Sequence, residues 1–533
     1  MYECPNCGGN LRFDIASQQL ACAHCNAQYD PYEITKDRDA EESKDFEVTV
    51  FTCPQCAGEI YSTDNTAAGF CSFCGASTIL DSRLTRQKRP GFIIPFKKTK
   101  ADCKREYAKM VKKAIFAPKA LRDEKHIDSF RGIYMPYWVY YITQKGSIYL
   151  TGTRSYQKGD YHITDYYTLS GLLDAYYKGL YYDASSSFAD NISERIAPFD
   201  VKNMRGFTPS ILSGFYADTA DVEQALYEED AMEKANGQTR KYIESSKEMK
   251  RYTLKKYDNL TNKYHTRCES ADIAMFPVWF LSYRNKDRVA YATVNGQTGK
   301  VVADLPVDIW KYTGGTLLLA VLIFLLLNMF ATFRPATTLM LVAGIAVIAM
   351  ILHKMEMKQI IEKEQYLDDK GAMNALKSRA EKEQDIQKTQ TGQKSPKKKS
   401  TSSKVLSVIM IAIVVDLIFN MLLATIAMGN EGNWLGAFIV LPAGIAAGVV
   451  NFVGYRKMEG MSKVPGFLGA FISVLLAGGV LIWNPVSDLY YYAGAIISLV
   501  AVFFTLVDLI RSYNILATRK LPQFDYQGGD DRA

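Results

Sequence analysis

CPNCGGN, residues 4–10, returns as CPQCAGE at residues 53–59, and that return decides how the front of this chain is read. Each stretch opens a set of four cysteines, Cys4-x2-Cys7-x14-Cys22-x2-Cys25 and Cys53-x2-Cys56-x14-Cys71-x2-Cys74, offset by 49 residues throughout. The flanks repeat as well: Tyr2 and Phe51 before each first pair, Pro5 and Pro54 inside it, Leu11 and Ile60 four residues after it. A module this short cannot bury a core, so bound metal must supply its folding free energy. Four thiolates from two knuckles close a tetrahedral shell, which suits structural Zn²⁺ and leaves no position open for catalysis. Two structural zinc ions are expected, with rubredoxin-like iron as the rival occupant. Gly8, Gly75 and Asn26 follow their knuckles, where the backbone often needs positive φ. His24 reads as a turn residue, because the shell is already full.

Eight of the ten cysteines sit in these pairs, a pattern that in a reducing compartment points to metal and not to disulfides. No basic segment followed by an apolar run opens the chain, so no cleaved signal peptide is expected. Charge is segregated. Residues 1–80 carry four basic side chains against twelve acidic ones, whereas residues 83–113 carry twelve Lys/Arg against Asp102 and Glu106. Nucleic-acid binding is led by phosphate neutralisation, so acidic ribbons weigh against it and favour a protein partner.

Thr99 is placed to cap a helix over 100–116, with Cys103, Tyr107, Met110, Val111, Ala114 and Ile115 on one face. Lys104, Arg105, Lys109, Lys112 and Lys113 line the other, either as a solvated face or as a contact for anionic lipid headgroups. The tyrosine-rich stretch 132–182 suggests strands with aromatic core faces. YMPYWVYY (134–141) is echoed by MFPVWFLSY (275–283), sharing Pro136/Pro277 and Trp138/Trp279. The second copy leads into a hairpin turning at Asn295-Gly296. A polar helix is expected over 219–247. GQTGK lacks the full phosphate-loop pattern, and no GxSxG, HExxH or Rossmann glycine pattern occurs, so no enzyme is supported. His126, His162, His265, Cys103 and Cys268 read as structural.

Six apolar segments, near 315–333, 336–352, 405–428, 436–454, 466–483 and 489–510, approach the length needed to cross a bilayer. The 354–404 linker has thirteen Lys/Arg, while the loops on the other side hold one basic residue, Arg334. Both termini are therefore expected inside. Residues 354–385 read as a solvated helical extension, and the stretch beyond as a disordered linker. Asp416 falls mid-span with Asn420 on the same face. It is read either as interhelical glue, with Asn328 or Asn451, or as an ion or proton path.

The double CPxC…CxxC head, the PYW/PVW pair, the NGQTGKVVADLP hairpin and the apolar tail together resemble a family of Gram-positive membrane proteins described as containing a TFIIB-type zinc ribbon. Some members bear a name related to the primosomal helicase, which rests on the ribbons alone. The resemblance covers about residues 1–310 well and the rest only in kind. It implies an anchor that recruits band-7-type or phage-shock-type partners to the membrane under envelope stress, with the eight paired cysteines as ligands. The expected organisation is two ribbons (1–35, 49–82), a cytosolic α+β domain (90–308) and a two-helix hairpin (315–352). A charged linker (353–404), a four-helix unit (405–510) and a cytosolic tail (511–533) follow. The expected function is a non-enzymatic adaptor in the bacterial plasma membrane. The alternatives are a nucleic-acid tether using the 83–113 segment and a transporter centred on Asp416.

Overall fold

The computed structural model describes residues 2–36, 45–62, 71–76, 81–127, 129–257, 259–330, 334–375, 432–455 and 466–520. The first ribbon is an antiparallel sheet of β1 (Leu11–Asp14), β2 (Gln19–Cys22) and β3 (Gln28–Tyr29). Helix α1 (Pro31–Thr35) follows, capped by the Asp30 side chain on Tyr32 N. The second ribbon is built on β4 (Asp45–Thr52), β5 (Glu59–Ser62) and β6 (Asp81–Lys88), with β4 in the middle.

The domain that follows is an internal duplication. Its first half contains β7 (Phe92–Ile93), α2 (Lys100–Lys113), α3 (Glu124–Ile127), β8 (Arg131–Lys158), β9 (Tyr161–Asp183) and α4 (Asp190–Ile196). The second contains β10 (Arg205–Gly206), β11 (Tyr216–Asp218), α5 (Glu228–Ser245), β12 (Thr253–Leu254), α6 (Leu260–Lys263), β13 (Thr266–Asn285), β14 (Arg288–Asn295) and β15 (Val301–Ala303). Strand, helix and hairpin thus occur twice, as β7-α2-β8-β9 and as β11-α5-β13-β14. The long strands β8 and β13 lie antiparallel at the centre, and Met135 pairs with Phe276 at the two-fold point. Each short strand crosses to the other half, β7 running parallel to β13 and β11 parallel to β8.

The correspondence reaches single hydrogen bonds, which explains the sequence echo. Trp138 Nε1 donates to Val222 O and Trp279 Nε1 to Lys98 O, both at 2.8 Å. Ala184 N donates to Pro136 O and Gly296 N to Pro277 O, at 2.9 and 2.8 Å. In a strand, a residue's N and O point the same way. Both prolines therefore face the place where the outer neighbour changes, from β11 to β9 or from β7 to β14. An interruption of this kind is where a sheet can accept a residue with no N–H.

Phe96 stacks on Phe215 with ring centroids 4.5 Å apart and meets Tyr134 and Trp279, so the inner part of the aromatic stretch is core. The outer part is not. The β8–β9 ribbon runs on past its neighbours and leaves Tyr149, Tyr156, Tyr161, Tyr166 and Tyr176 exposed. Thr99 and Asp102 cap α2 reciprocally, but the helix ends at Lys113 and leaves Ile115 exposed. The helix expected over 219–247 is shorter, α5, preceded by a 3-10 turn at Gln224–Tyr227.

The C-terminal part contains α7 (Ile309–Phe330), α8 (Pro335–Glu364), α9 (Gly432–Tyr455), α10 (Leu468–Trp483) and α11 (Asp488–Leu516), then β16 (Arg519–Lys520) paired to β14. Leu339, Ala343, Met350, Val474, Leu481 and Val502 form its core. The expectation of six crossing helices is corrected here: among the described residues, two helices, α8 and α11, are long and apolar enough to span a membrane. The others carry shorter apolar stretches, Ile309–Ile323, Leu441–Val453 and Leu468–Trp483. Asn484 in a left-handed conformation ends α10, and Pro442 lies inside α9. The segment 405–428, with Asp416 and Asn420, lies outside the described residues.

The solvated extension expected over 354–385 is corrected for 354–375; its remainder and the linker beyond lie outside the described residues. Ile360 and Asp369 are buried, and Glu364 accepts from Arg288 Nη2 and pairs with Lys520, each at 2.8 Å. Lys363 Nζ donates to Leu516 O at 2.6 Å, and Lys370 pairs with Asp230 of α5. Alternating charge in this segment serves to clamp the helices to the sheet.

Candidate metal centres

All eight paired cysteines gather into two sets of four, each with its sulfurs within 4.8 Å of one another. In the first, Cys4 and Cys25 Sγ lie 3.5 Å apart, as do Cys7 and Cys22. In the second, Cys53–Cys74 and Cys56–Cys71 are separated by 3.8 and 3.7 Å. A tetrahedral ion with bonds of about 2.3 Å to sulfur holds its ligands about 3.8 Å apart, whereas a disulfide needs about 2.05 Å. The donor sets fit a four-coordinate metal with every position filled by protein.

Four copies of one turn build the two sets. The N–H of each knuckle's first cysteine bonds the carbonyl five residues on, and its carbonyl accepts from the N–H four residues on. That fourth residue is left-handed each time: Gly8 at φ 70°, Asn26 at 58°, Ala57 at 57° and Gly75 at 71°. The sequence pointed to three of them. Ala57 went unnoticed, since alanine rarely adopts this conformation; its alignment with Gly8 was the available signal.

The two clusters are seated differently. Ribbon 1 docks by its strands: Leu11, Phe13 and Leu20 join the main core, Phe13 N donates to Ser213 O and Gln18 Nε2 to Phe96 O. Its knuckles face outward, with Pro5, Asn6, Cys7, His24 and Asn26 exposed. Ribbon 2 is enclosed, and all four of its cysteines are buried. Its β5 pairs with β11 and so extends the main sheet. Tyr291 OH donates to Phe73 O at 2.5 Å, Phe73 meets Phe280 edge-on, and Arg284 Nη1 donates to Gln55 Oε1.

The five basic residues of α2 share a face, but unequally. Lys104 is half-buried and the others exposed; Arg105 pairs with Asp102 and Lys109 with Glu106. Lys112 and Lys113 end the helix where the chain meets the start of α7. There Asp308 N donates to Phe116 O, Lys311 Nζ to Ala117 O, and Ile115 and Trp310 are 66% and 86% exposed.

The isolated histidines and thiols do not converge. His265 Nε2 meets Ser147 O, His126 packs edge-on to Tyr283, His162 is exposed, and Cys103 is buried apart from Cys268. A cavity of about 270 Å³ lies between Tyr137, Tyr181, Tyr182, Ser193, Glu194 and Lys234, with no nucleophile–base pair in it. Burial pushes the Asp218 carboxyl up to about 7, although Ser185 and Ser187 donate to it. Burial and neighbouring Asp190 do the same to Asp369, also to about 7.

With this geometry in hand, one relative stands out: the chain is 28% identical over 339 residues to the uncharacterized protein YdjG of Bacillus subtilis (strain 168). The match covers 61% of this chain and 98% of YdjG. No family model and no solved structure matches.

Proposed function

We propose that the chain is a non-enzymatic, multi-pass adaptor of the plasma membrane of a Gram-positive bacterium. Its termini face the cytosol, and each cysteine set binds one structural Zn²⁺. Ribbon 2 is a core element of the cytosolic domain; ribbon 1 is the docking head. The unequal seating of the clusters supports this reading, because the exposed knuckles of ribbon 1 project from a domain clamped to the apolar helices through Arg288, Glu364 and Lys520. The partner is a cytosolic protein of the band-7 or phage-shock type that the resemblance implies. Anionic headgroups meet Lys112 and Lys113 beside Trp310, each lysine contributing about 1 kcal/mol at a charged surface.

The test uses the full chain in nanodiscs and purified candidate partners. Asn6→Arg with His24→Glu is expected to abolish capture while two zinc ions per chain are retained. Undiminished capture would overturn ribbon 1 as the docking head. Lys112→Glu with Lys113→Glu should leave capture intact and weaken pelleting of the cytosolic domain with phosphatidylglycerol vesicles.

A further inference from the structure

Where α8, α9 and α11 meet near the clamp, three residues, His353, Asn451 and Asp508, build a polar site inside the helix bundle. His353 of α8 is 3% exposed and Asn451 of α9 is 5% exposed. His353 Nδ1 lies 3.2 Å from Asn451 Oδ1, and its Nε2 lies 3.4 Å from Asp508 Oδ2 of α11. Phe467 covers the ring at 6.0 Å between centroids, and Gly466 approaches so closely that a Cβ there would overlap the Asp508 carboxylate.

The hydrogen bonds fix where the protons lie. Asn451 Nδ2 donates to Met350 O at 3.0 Å and to Ala447 O at 2.8 Å. Both partners are carbonyls and only accept, so the amide cannot be flipped, and its oxygen faces the ring. His353 Nδ1 must therefore carry a hydrogen. A neutral ring then turns the Nε2 lone pair toward a carboxylate, setting two acceptors against each other in a low-dielectric bundle. One proton between Nε2 and Oδ2 turns this repulsion into a charge-assisted contact.

We propose that His353 and Asp508 form a proton-binding site, holding a single proton between Nε2 and Oδ2. A second acid lies beside it. Glu356, one turn along α8, has a buried Oε2 with no hydrogen-bond partner among the described residues. Asn451 and Phe467 are uncharged, while Lys354 and Arg511 are exposed to solvent. Asp508 keeps 21% of its side chain accessible, which leaves a way in for the proton. The pair joins α8 to α11, and the ends of both helices hold Arg288 through Glu364 and Ile515. Proton occupancy would thus be felt at the clamp on β14. The proposal is independent of what ribbon 1 docks.

The experiment is ¹⁵N spectroscopy of the full chain in nanodiscs with labelled histidine, His353 being assigned by its loss in His353→Gln. The wild-type Nε2 is expected to carry a proton, as an imidazolium facing the Asp508 carboxylate. Asp508→Asn offers its own N–H to the ring and should leave Nε2 a bare acceptor, with zinc content unchanged. A wild-type Nε2 that is already a bare acceptor would overturn the site, and that outcome needs no variant to fold. A His353 signal that moves on adding Zn²⁺ beyond two equivalents would also overturn it, by making the pair a metal site.

Discussion

Two ribbons with the same cysteine spacing have become different parts of the molecule. In ribbon 1 the strands are buried and the knuckles are out; in ribbon 2 the knuckles are buried as well, beneath Tyr291 and Phe280. The metal's task is the same in both, yet what depends on it is not. Ribbon 2 carries β5, whose pairing with β11 ties it to the central strand β8. Ribbon 1 keeps its three strands in a separate sheet, which joins the domain through Leu11, Phe13 and Leu20 and a few hydrogen bonds.

The largest contrast is expected from ligand loss. Cys56→Ser removes a site whose metal contributes about 10 kcal/mol, comparable to the whole stability of a domain. The sheet domain should lose its cooperative unfolding transition by calorimetry and be recovered in inclusion bodies. Cys7→Ser should leave that transition in place, lower its midpoint by a few degrees and remove one zinc ion. Equal damage from both would erase the distinction.

That distinction could not be read from the cysteines, which are indistinguishable by spacing. It lives in long-range pairing, β5 with β11, and short strands such as Tyr216–Asp218 announce no partner in sequence. The duplication was half legible. Proline and tryptophan survive in both copies because each answers a backbone constraint, whereas residues between them need only fill space. The His353–Asp508 site was missed because a histidine just past an apolar run reads as a helix end. The signal was that His353, Asn451 and Asp508 each lie near the same end of a different apolar segment. Asp416 drew notice by its depth in an apolar segment that lies outside the described residues, and Asn451, one of two candidate partners for it, meets His353.

Metal removal should separate the ribbons by rate. Cys7 is exposed, so a chelator can begin ligand exchange without opening the fold. The buried set exchanges only when the domain opens. Zinc release to a chromogenic chelator should show one fast equivalent and one slower by more than an order of magnitude. Cys7→Ser should delete the fast phase alone.

A smaller effect is expected at the lid of ribbon 2. Tyr291→Phe removes the hydrogen bond to Phe73 O, at a cost of about 1 kcal/mol. Ser213→Ala removes the bond to Leu11 O in ribbon 1. Its loss should cost less and leave the slow zinc phase untouched, while Tyr291→Phe accelerates it.

The finest comparison concerns a single backbone angle. Ala57 and Asn26 hold the same left-handed turn at φ 57° and 58°, one enclosed and one exposed. An alanine in that region costs about 1–2 kcal/mol, while asparagine visits it routinely. Ala57→Gly relieves this strain and gives up one methyl group, worth about 0.8 kcal/mol of burial. The net gain is therefore a few tenths to about 1 kcal/mol, seen as a higher midpoint of the main transition. Asn26→Gly, with little strain to relieve, should leave that midpoint unchanged. A drop on Ala57→Gly would mean that the enclosed knuckle depends on its packing more than on its turn, and would make the two ribbons less alike than their spacing suggests.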